Sequence, residues 1–260
     1  MLHLFDATLR GKSFSTLSEL VFLEDIEEQK PEEDRVETKR ANRPGMFVTS
    51  QQRRKLSIKF TAHIVAYDIE QRAALADKVA EWVGEGGFLT INSRPGQRLY
   101  VRPSERPSLG SGLRWNDKIT FTLTAYENPF WEAETAETLA ITTSATTING
   151  YLKPVGTYPT AYVSCYVTNT GSAALTQLTV RTPRSSIQLT GLNVPNGKTV
   201  SIGYSDDGIL MITANGTSAL ANRTASSADD LIATCNANNS VSATANVNIK
   251  ATFTSRGRYW

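Results

Sequence analysis

The chain has 260 residues, 40% of them hydrophobic and 20% charged, with 27 basic against 25 acidic side chains. That composition is typical of globular proteins and is enough for two cores. A net charge of +2 lacks the basic excess of a general nucleic-acid binder. No apolar run approaches the ~20 residues of a membrane-spanning helix. The start, Met1 to Arg10, has no basic segment before an apolar core, so no signal peptide is expected and synthesis in the cytoplasm is. Two cysteines, Cys165 and Cys235, are too few for a disulfide framework and lack metal-ligand spacing. They are expected as thiols, with one disulfide formed after release from the cell as the alternative.

Charge is unevenly spread. Residues 1–134 hold 19 basic and 20 acidic side chains, whereas residues 135–260 hold 8 and 5. The second half replaces charge with Thr, Ser and Asn. Two domains, 1–134 and 135–260, are expected on that shift.

In the first half, residues 20–26 form a short apolar run. Residues 27–45 are charged and contain Pro31, Pro44 and Gly45; little there is buriable, so a long loop or arm is expected. From Arg54 to Val65 the chain alternates. Leu56, Ile58, Phe60, Ala62 and Ile64 share one face, and Lys55, Ser57, Lys59, Thr61 and His63 the other, which predicts a strand. A helix over 68–83 follows. Ile69, Ala73, Ala76, Ala80 and Val83 recur at helical steps, and Leu75, Val79 and Trp82 widen the stripe. Asp68 with Gln71 suits a capping box, and Gly84 a left-handed stop. Strands are predicted at Phe88–Asn92, Arg98–Arg102 and Lys118–Tyr126. One helix on an antiparallel sheet is an α+β or split-barrel arrangement.

The second half shows no helical period. Asn196-Gly197, Asp207-Gly208 and Asn215-Gly216 recur between short β-branched runs and suit tight hairpins. Val200–Tyr204 with Ile209–Thr213 is the clearest hairpin. Short strands without helices predict a β-sandwich or jelly roll. The fold class expected for the whole chain is therefore mainly β.

No catalytic constellation stands out, and the chain reads as a non-enzyme without metal or cofactor. The histidines are His3 and His63, too few for a zinc site without other ligands. Asp206-Asp207-Gly208 reads as a turn. Gly84-Glu85-Gly86-Gly87 follows a helix and precedes a strand, the reverse of a phosphate loop. Arg53, Arg54 and Lys55, with Arg40 and Arg43 nearby, lack interleaved aromatics for stacking bases. The acidic run from Glu24 to Glu37 precedes them, so the two blocks are expected to pair within a subunit or across an interface. Glycan binding by a jelly roll is weighed against the scarcity of aromatic platforms, since Trp260 is the one Trp in the second half.

The order of these pieces resembles the distal tail proteins of long-tailed phages. The matching segments are Arg43-Pro44-Gly45-Met46, the strand Lys55–Val65, the helix Asp68–Val83 and Gly87–Ile91. The junction Ala125-Tyr126-Glu127-Asn128-Pro129-Phe130-Trp131-Glu132 is similar to the family's Pro-aromatic-Trp segment. In the second half Lys153–Thr160, Ile187–Ile202 and the ending Phe253–Trp260 also match. The family's loop often carries Arg-Asp between its glycines, where this chain has Arg43-Pro44-Gly45.

The resemblance implies an N-terminal ring-forming domain, usually hexameric, at the junction of tail tube and tip. It implies a galectin-like C-terminal sandwich, with the tail tube, tape-measure and hub or baseplate proteins as partners. The location implied is the virion tail tip, with DNA only as cargo through the channel. A glycan-binding module assisting host adsorption is the alternative function. For a ring, the charged arm is expected to reach a neighbour, with Glu27, Glu28, Glu32, Glu33 and Asp34 meeting Arg53 and Arg54.

Overall fold

The computed structural model describes residues 5–29, 31–39, 46–107 and 116–260. His3, Arg40 and the Arg43-Pro44-Gly45 turn lie outside the described residues. The fold is mainly β, with one α-helix among the described residues, and divides into two compact units, Met1–Phe130 and Trp131–Trp260. Among the described residues no helix is long and apolar enough to cross a membrane.

The first unit holds β1 (Ala7–Leu9), β2 (Lys12–Ser13), β3 (Val21–Glu28), β4 (Glu32–Lys39), β5 (Met46–Val65), α1 (Ile69–Val83), β6 (Gly87–Ile91), β7 (Gln97–Glu105) and β8 (Asn116–Ala125). Its antiparallel sheet runs β2-β1-β6-β7-β8-β5-β3. The alternation along β5 decides its orientation: Leu56, Ile58, Phe60, Ala62 and Ile64 are all buried. Phe60 pairs across the ladder with Phe121, their rings stacked at 5.0 Å. Phe14 meets Trp82 edge-on at 5.0 Å. These rings join helix to sheet, and the Trp82 indole N–H donates to the Lys12 carbonyl at 2.8 Å.

The helix presents a different stripe from the alanine-centred one expected. Leu75, Ala76, Val79, Trp82 and Val83 are buried, whereas Ile69 is 58% exposed and Ala73 and Ala80 face solvent. The larger side chains set the rotation, because apolar area removed from water scales with their size. At the start, the Asp68 carboxylate accepts from the Gln71 N–H at 2.6 Å. Gln71 returns the contact one residue early, its Oε1 accepting from the Tyr67 N–H at 2.8 Å. At the end, Gly84 has φ 46° and ψ −126°, outside the left-handed helical region expected. Arg10 caps this end instead, donating to the Glu81 and Trp82 carbonyls at 3.1 and 2.9 Å.

The expected loop at 27–45 is replaced, over its described residues, by the end of β3 and by β4. β4 pairs with the first half of β5 from Glu32↔Lys55 to Lys39↔Met46. Charged composition misleads here because β4 pairs through its backbone, which needs no apolar alternation.

The second unit holds β9 (Trp131–Ala133), β10 (Glu137–Leu152), β11 (Thr160–Asn169), β12 (Leu175–Arg181), β13 (Ser186–Val194), β14 (Thr199–Tyr204), β15 (Leu210–Ala214), β16 (Thr217–Ser218), β17 (Ile232–Thr234), β18 (Asn239–Ser255) and β19 (Arg258–Tyr259). β9 pairs with β19 near the C-terminus. β18 is the spine. β12 pairs with its Ser242–Ala245 stretch and β11 with Ile249–Ser255, while β10 follows it throughout. Every second residue of β18 points inward, from Val241 through Ala243, Val247, Ile249 and Ala251 to Phe253. The curled antiparallel sheet thus folds its two ends around one aliphatic core that includes Cys165.

Two of the three Gly turns close hairpins: Asp207-Gly208 joins β14 to β15, and Asn215-Gly216 joins β15 to β16. Asn196-Gly197 does not. It links β13 to β14, which pairs with β11, so this turn carries the chain across the sandwich. Near the C-terminus Gly257 is required by contact: a Cβ there would lie 1.6 Å from the Val155 carbonyl oxygen.

Candidate functional site

The seven residues expected at an interface all fall on one hairpin of the first unit. Glu27 and Glu28 end β3, Glu32, Glu33 and Asp34 open β4, and Arg53 and Arg54 lie on β5. β3 and β4 run in turn along the same long strand β5, which is why both blocks of charge meet it. The register sets Glu27 opposite Lys59, Glu32 opposite Lys55 and Glu33 opposite Arg53. Asp34 forms an ion pair with Arg54 inside the ribbon. Glu28 takes both oxygens to the Arg94 guanidinium, at 2.7 and 2.8 Å. That bidentate pair ties the base of the hairpin to the loop before β7. Arg53 lies over the Phe130 ring, 5.1 Å from its centre.

The hairpin has two zones. From Lys55 onward β5 is flanked by β3 on one side and β8 on the other. Before Lys55, among the described residues, β4 and β5 pair with each other and with no further strand. Glu33, Asp34, Val36, Glu37 and Arg54 are exposed on this ribbon.

Where ribbon meets sheet, the face of β5 away from the core carries a groove of about 340 Å³ that includes Lys55, Lys59 and Glu105. A hydroxyl ladder, Ser57–Thr124–Ser104, crosses it with both contacts at 2.9 Å. Thr122 donates to Glu105 at 2.9 Å. Next along the sheet Lys118 pairs with Glu24 at 2.6 Å. His63 on this face stacks on Phe22 at 5.3 Å, so its ring serves packing.

In the second unit the acidic residues do not converge on a reactive centre. Asp206-Asp207-Gly208 forms the β14–β15 turn, with the Gly208 N–H donating to the Ser205 carbonyl at 2.8 Å. Asp229 pairs with Arg223 at 2.8 Å. Asp230 sits beside Tyr204 and Arg258, and Tyr162 stacks on Tyr204 at 4.2 Å with the Arg258 guanidinium 3.6 Å from its other side. Burial raises the Asp230 carboxyl above the ordinary range. The Asp229 charge adds to this, and Arg258, Arg223 and the Tyr204 hydrogen bond oppose it. Burial likewise raises the Tyr204 hydroxyl and the Cys165 thiol, so Cys165 is a packed thiol and not an activated one. Among the described residues no three His, Cys, Asp or Glu side chains are grouped to hold a metal ion. The Arg10 cap and the Tyr162–Arg258 stack escaped sequence reading, because their partners are distant in the chain.

No family model and no curated relative matches the sequence. Solved structures do match. A chain of the phage P2 baseplate in its activated conformation with Ca is 9% identical, with 98% of each chain covered and a TM-score of 0.51. The activated P2 baseplate with Sr gives 10% identity, 97% coverage of each chain and a TM-score of 0.51. Dit (gp 19.1) of phage SPP1 comes from the hub adsorption apparatus of phages that infect Gram-positive bacteria. It is 11% identical, with 97% of this chain and 99% of that chain covered, at a TM-score of 0.67. Both units are thus accounted for in one alignment: from end to end, the chain has the fold of the SPP1 Dit protein.

Proposed function

We propose that this chain is a structural component of a phage tail tip, a Dit-like hub protein that acts by assembly and not by catalysis. The observation that carries this is the agreement of fold with SPP1 Dit over 97% of this chain and 99% of that one. A shared domain could be borrowed for many purposes; two units in the same order along the whole chain are a narrower coincidence. In this reading the first unit closes a ring, usually of six copies, that joins the tail tube to the baseplate. The second unit is a galectin-like sandwich, and tube, tape-measure and hub proteins are the partners.

The ribbon of β4 and early β5 supports ring closure. Two strands alone are marginal in water and gain from a neighbour that packs against them. In this reading a second copy of the chain packs on the ribbon in a head-to-tail contact that repeats around a ring. Glu33, Asp34, Arg53 and Arg54 then set register, with Glu27, Glu28 and Glu32 at the hairpin's base. Exposed pairs of this kind contribute under ~1 kcal/mol each, so they select the partner and its register more than they hold the ring.

Electron microscopy and light scattering of the purified full chain test the reading. Closed annuli of a single stoichiometry are expected, alone or with tail components. Asp34→Arg, at an exposed position of β4, should shift annuli toward monomers while leaving the far-ultraviolet circular dichroism unchanged. Single copies that never close, even beside tail proteins, would end the proposal.

A further inference from the structure

The solvent-facing side of β10, β18 and β12 in the second unit carries a groove. Asn149, Ser242 and Arg181 stand side by side on β10, β18 and β12, and Tyr151 pairs with Ser240 on the next rung but one. β12 makes its last pairing with β18 at Arg181. The chain then turns away at Thr182, whose hydroxyl donates to the Ile232 carbonyl at 2.7 Å. Among the described residues, β18 continues to Ser240 with no strand paired on that edge. The space so opened is a groove of about 640 Å³, walled by Tyr151 on one side and Arg181 with Thr182 on the other, with β18 as its floor.

The lining selects a ligand class. Tyr151 is 70% exposed, its ring standing outside the core. Asn149 and the two serines each donate and accept hydrogen bonds, while Arg181 only donates. The groove has no carboxylate among its lining residues, so a cation finds no partner there. A wholly apolar ligand would strip water from these polar groups without replacing it. A nucleic-acid strand needs repeated cations along its backbone, and one arginine does not supply them. A sugar ring offers what is missing: a flat C–H face for the tyrosine and a rim of hydroxyls for the amide and serines. A few placed polar groups around an apolar wall is also the usual composition of a small-molecule site.

We propose that this groove is a saccharide-binding subsite, for a sugar that is neutral or carries one anionic substituent at Arg181. The inference stands apart from ring formation, since its residues all lie in the second unit.

The full-length chain is screened against immobilised oligosaccharides, both neutral and bearing phosphate or uronate groups, and the ligands found are titrated by calorimetry. At least one ligand of millimolar affinity or better is expected. Tyr151→Ala should weaken it about tenfold, the scale of one lost aromatic contact. Tyr166→Ala, which removes another exposed tyrosine on β11, should leave it unchanged. Arg181→Gln should weaken anionic ligands only. All three positions are exposed, so each variant should keep the parent thermal transition. A blank screen overturns the proposal, as does binding that survives Tyr151→Ala; unchanged anionic binding in Arg181→Gln overturns its anionic part.

Discussion

The two units solve the same problem, an antiparallel sheet with one covered face, using opposite polar chemistry. The first fixes its edges with ions: Glu28–Arg94, Lys118–Glu24 and Asp34–Arg54. The second fixes its loops with neutral amides. Asn169 is fully buried and donates to the Ala173 and Val194 carbonyls, both at 2.8 Å, while accepting from the Gly171 N–H at 2.9 Å. Asn239 is also buried, accepts from the Thr234 N–H at 2.7 Å and donates to the Ala237 carbonyl at 2.7 Å. An ion pair at a surface keeps its charges near water and gives up little when broken. A buried amide that ties several backbone groups strands those it alone satisfies when removed. The difference leaves exchangeable charge along the edges of the first unit and fixed amides where the loops of the second must hold a shape.

The comparison breaks first at Asn169. Asn169→Ala strands the Ala173 and Val194 carbonyls, each costing about 1–3 kcal/mol when left unsatisfied, less what water recovers at the rim, while the Gly171 N–H keeps its bond to the Asn248 carbonyl at 3.1 Å. A loss of about 3 kcal/mol is expected in urea unfolding of the full chain. A loss under about 1 kcal/mol would mean that the loops between β11, β12 and β14 hold without it, and the contrast between the units would fall.

Glu28 and Arg94 sharpen the other half. Their side chains are 26% and 27% exposed, and the contact is bidentate. A double-mutant cycle with Glu28→Gln and Arg94→Gln should give a coupling of about 1 kcal/mol that shrinks as salt is raised. A coupling of the Asn169 size, insensitive to salt, would place this pair with the buried amides.

How much of this was legible depended on whether a residue's partner was local. The inward face of β5 and the start of α1 follow from spacing alone, because Leu56 to Ile64 and Asp68 with Gln71 obey short-range rules. The ribbon was missed, since Glu32 to Lys39 form a strand with one apolar residue, Val36, and so no alternation to read. β10 was missed for a related reason. Its Thr- and Ser-rich middle shows little apolar alternation, yet β18 pairs with it along almost its entire length. The charged residues on the hairpin were found as opposed blocks, but the pairing of Glu28 with Arg94, 66 residues away, has no local signature. The groove at Tyr151 draws on three strands far apart in the chain, so its residues look unrelated until the sheet is folded.

The smallest effect tests where ion chemistry intrudes on the neutral unit. Asp230 is half-buried beside Tyr204 and Arg258, and burial raises its folded-state pKa despite the nearby guanidinium. Its carboxylate is therefore harder to form in the folded chain than in the unfolded one. Below the ordinary aspartate range, near ~3.9, both states hold the proton and Asp230 has no effect on stability. As pH rises from there through the folded pKa, the unfolded state releases its proton first, and stability falls. Above the folded pKa the loss is complete and constant. Asp230→Asn keeps a hydrogen-bonding side chain and removes the titration. Its melting temperature should exceed the parent's by a small margin at pH 7, and the margin should close by pH 3. An advantage that persists at pH 3 would assign it to packing. A variant less stable at pH 7 would show that attraction to Arg258 outweighs desolvation, making this corner of the second unit behave like the ion-paired hairpin of the first.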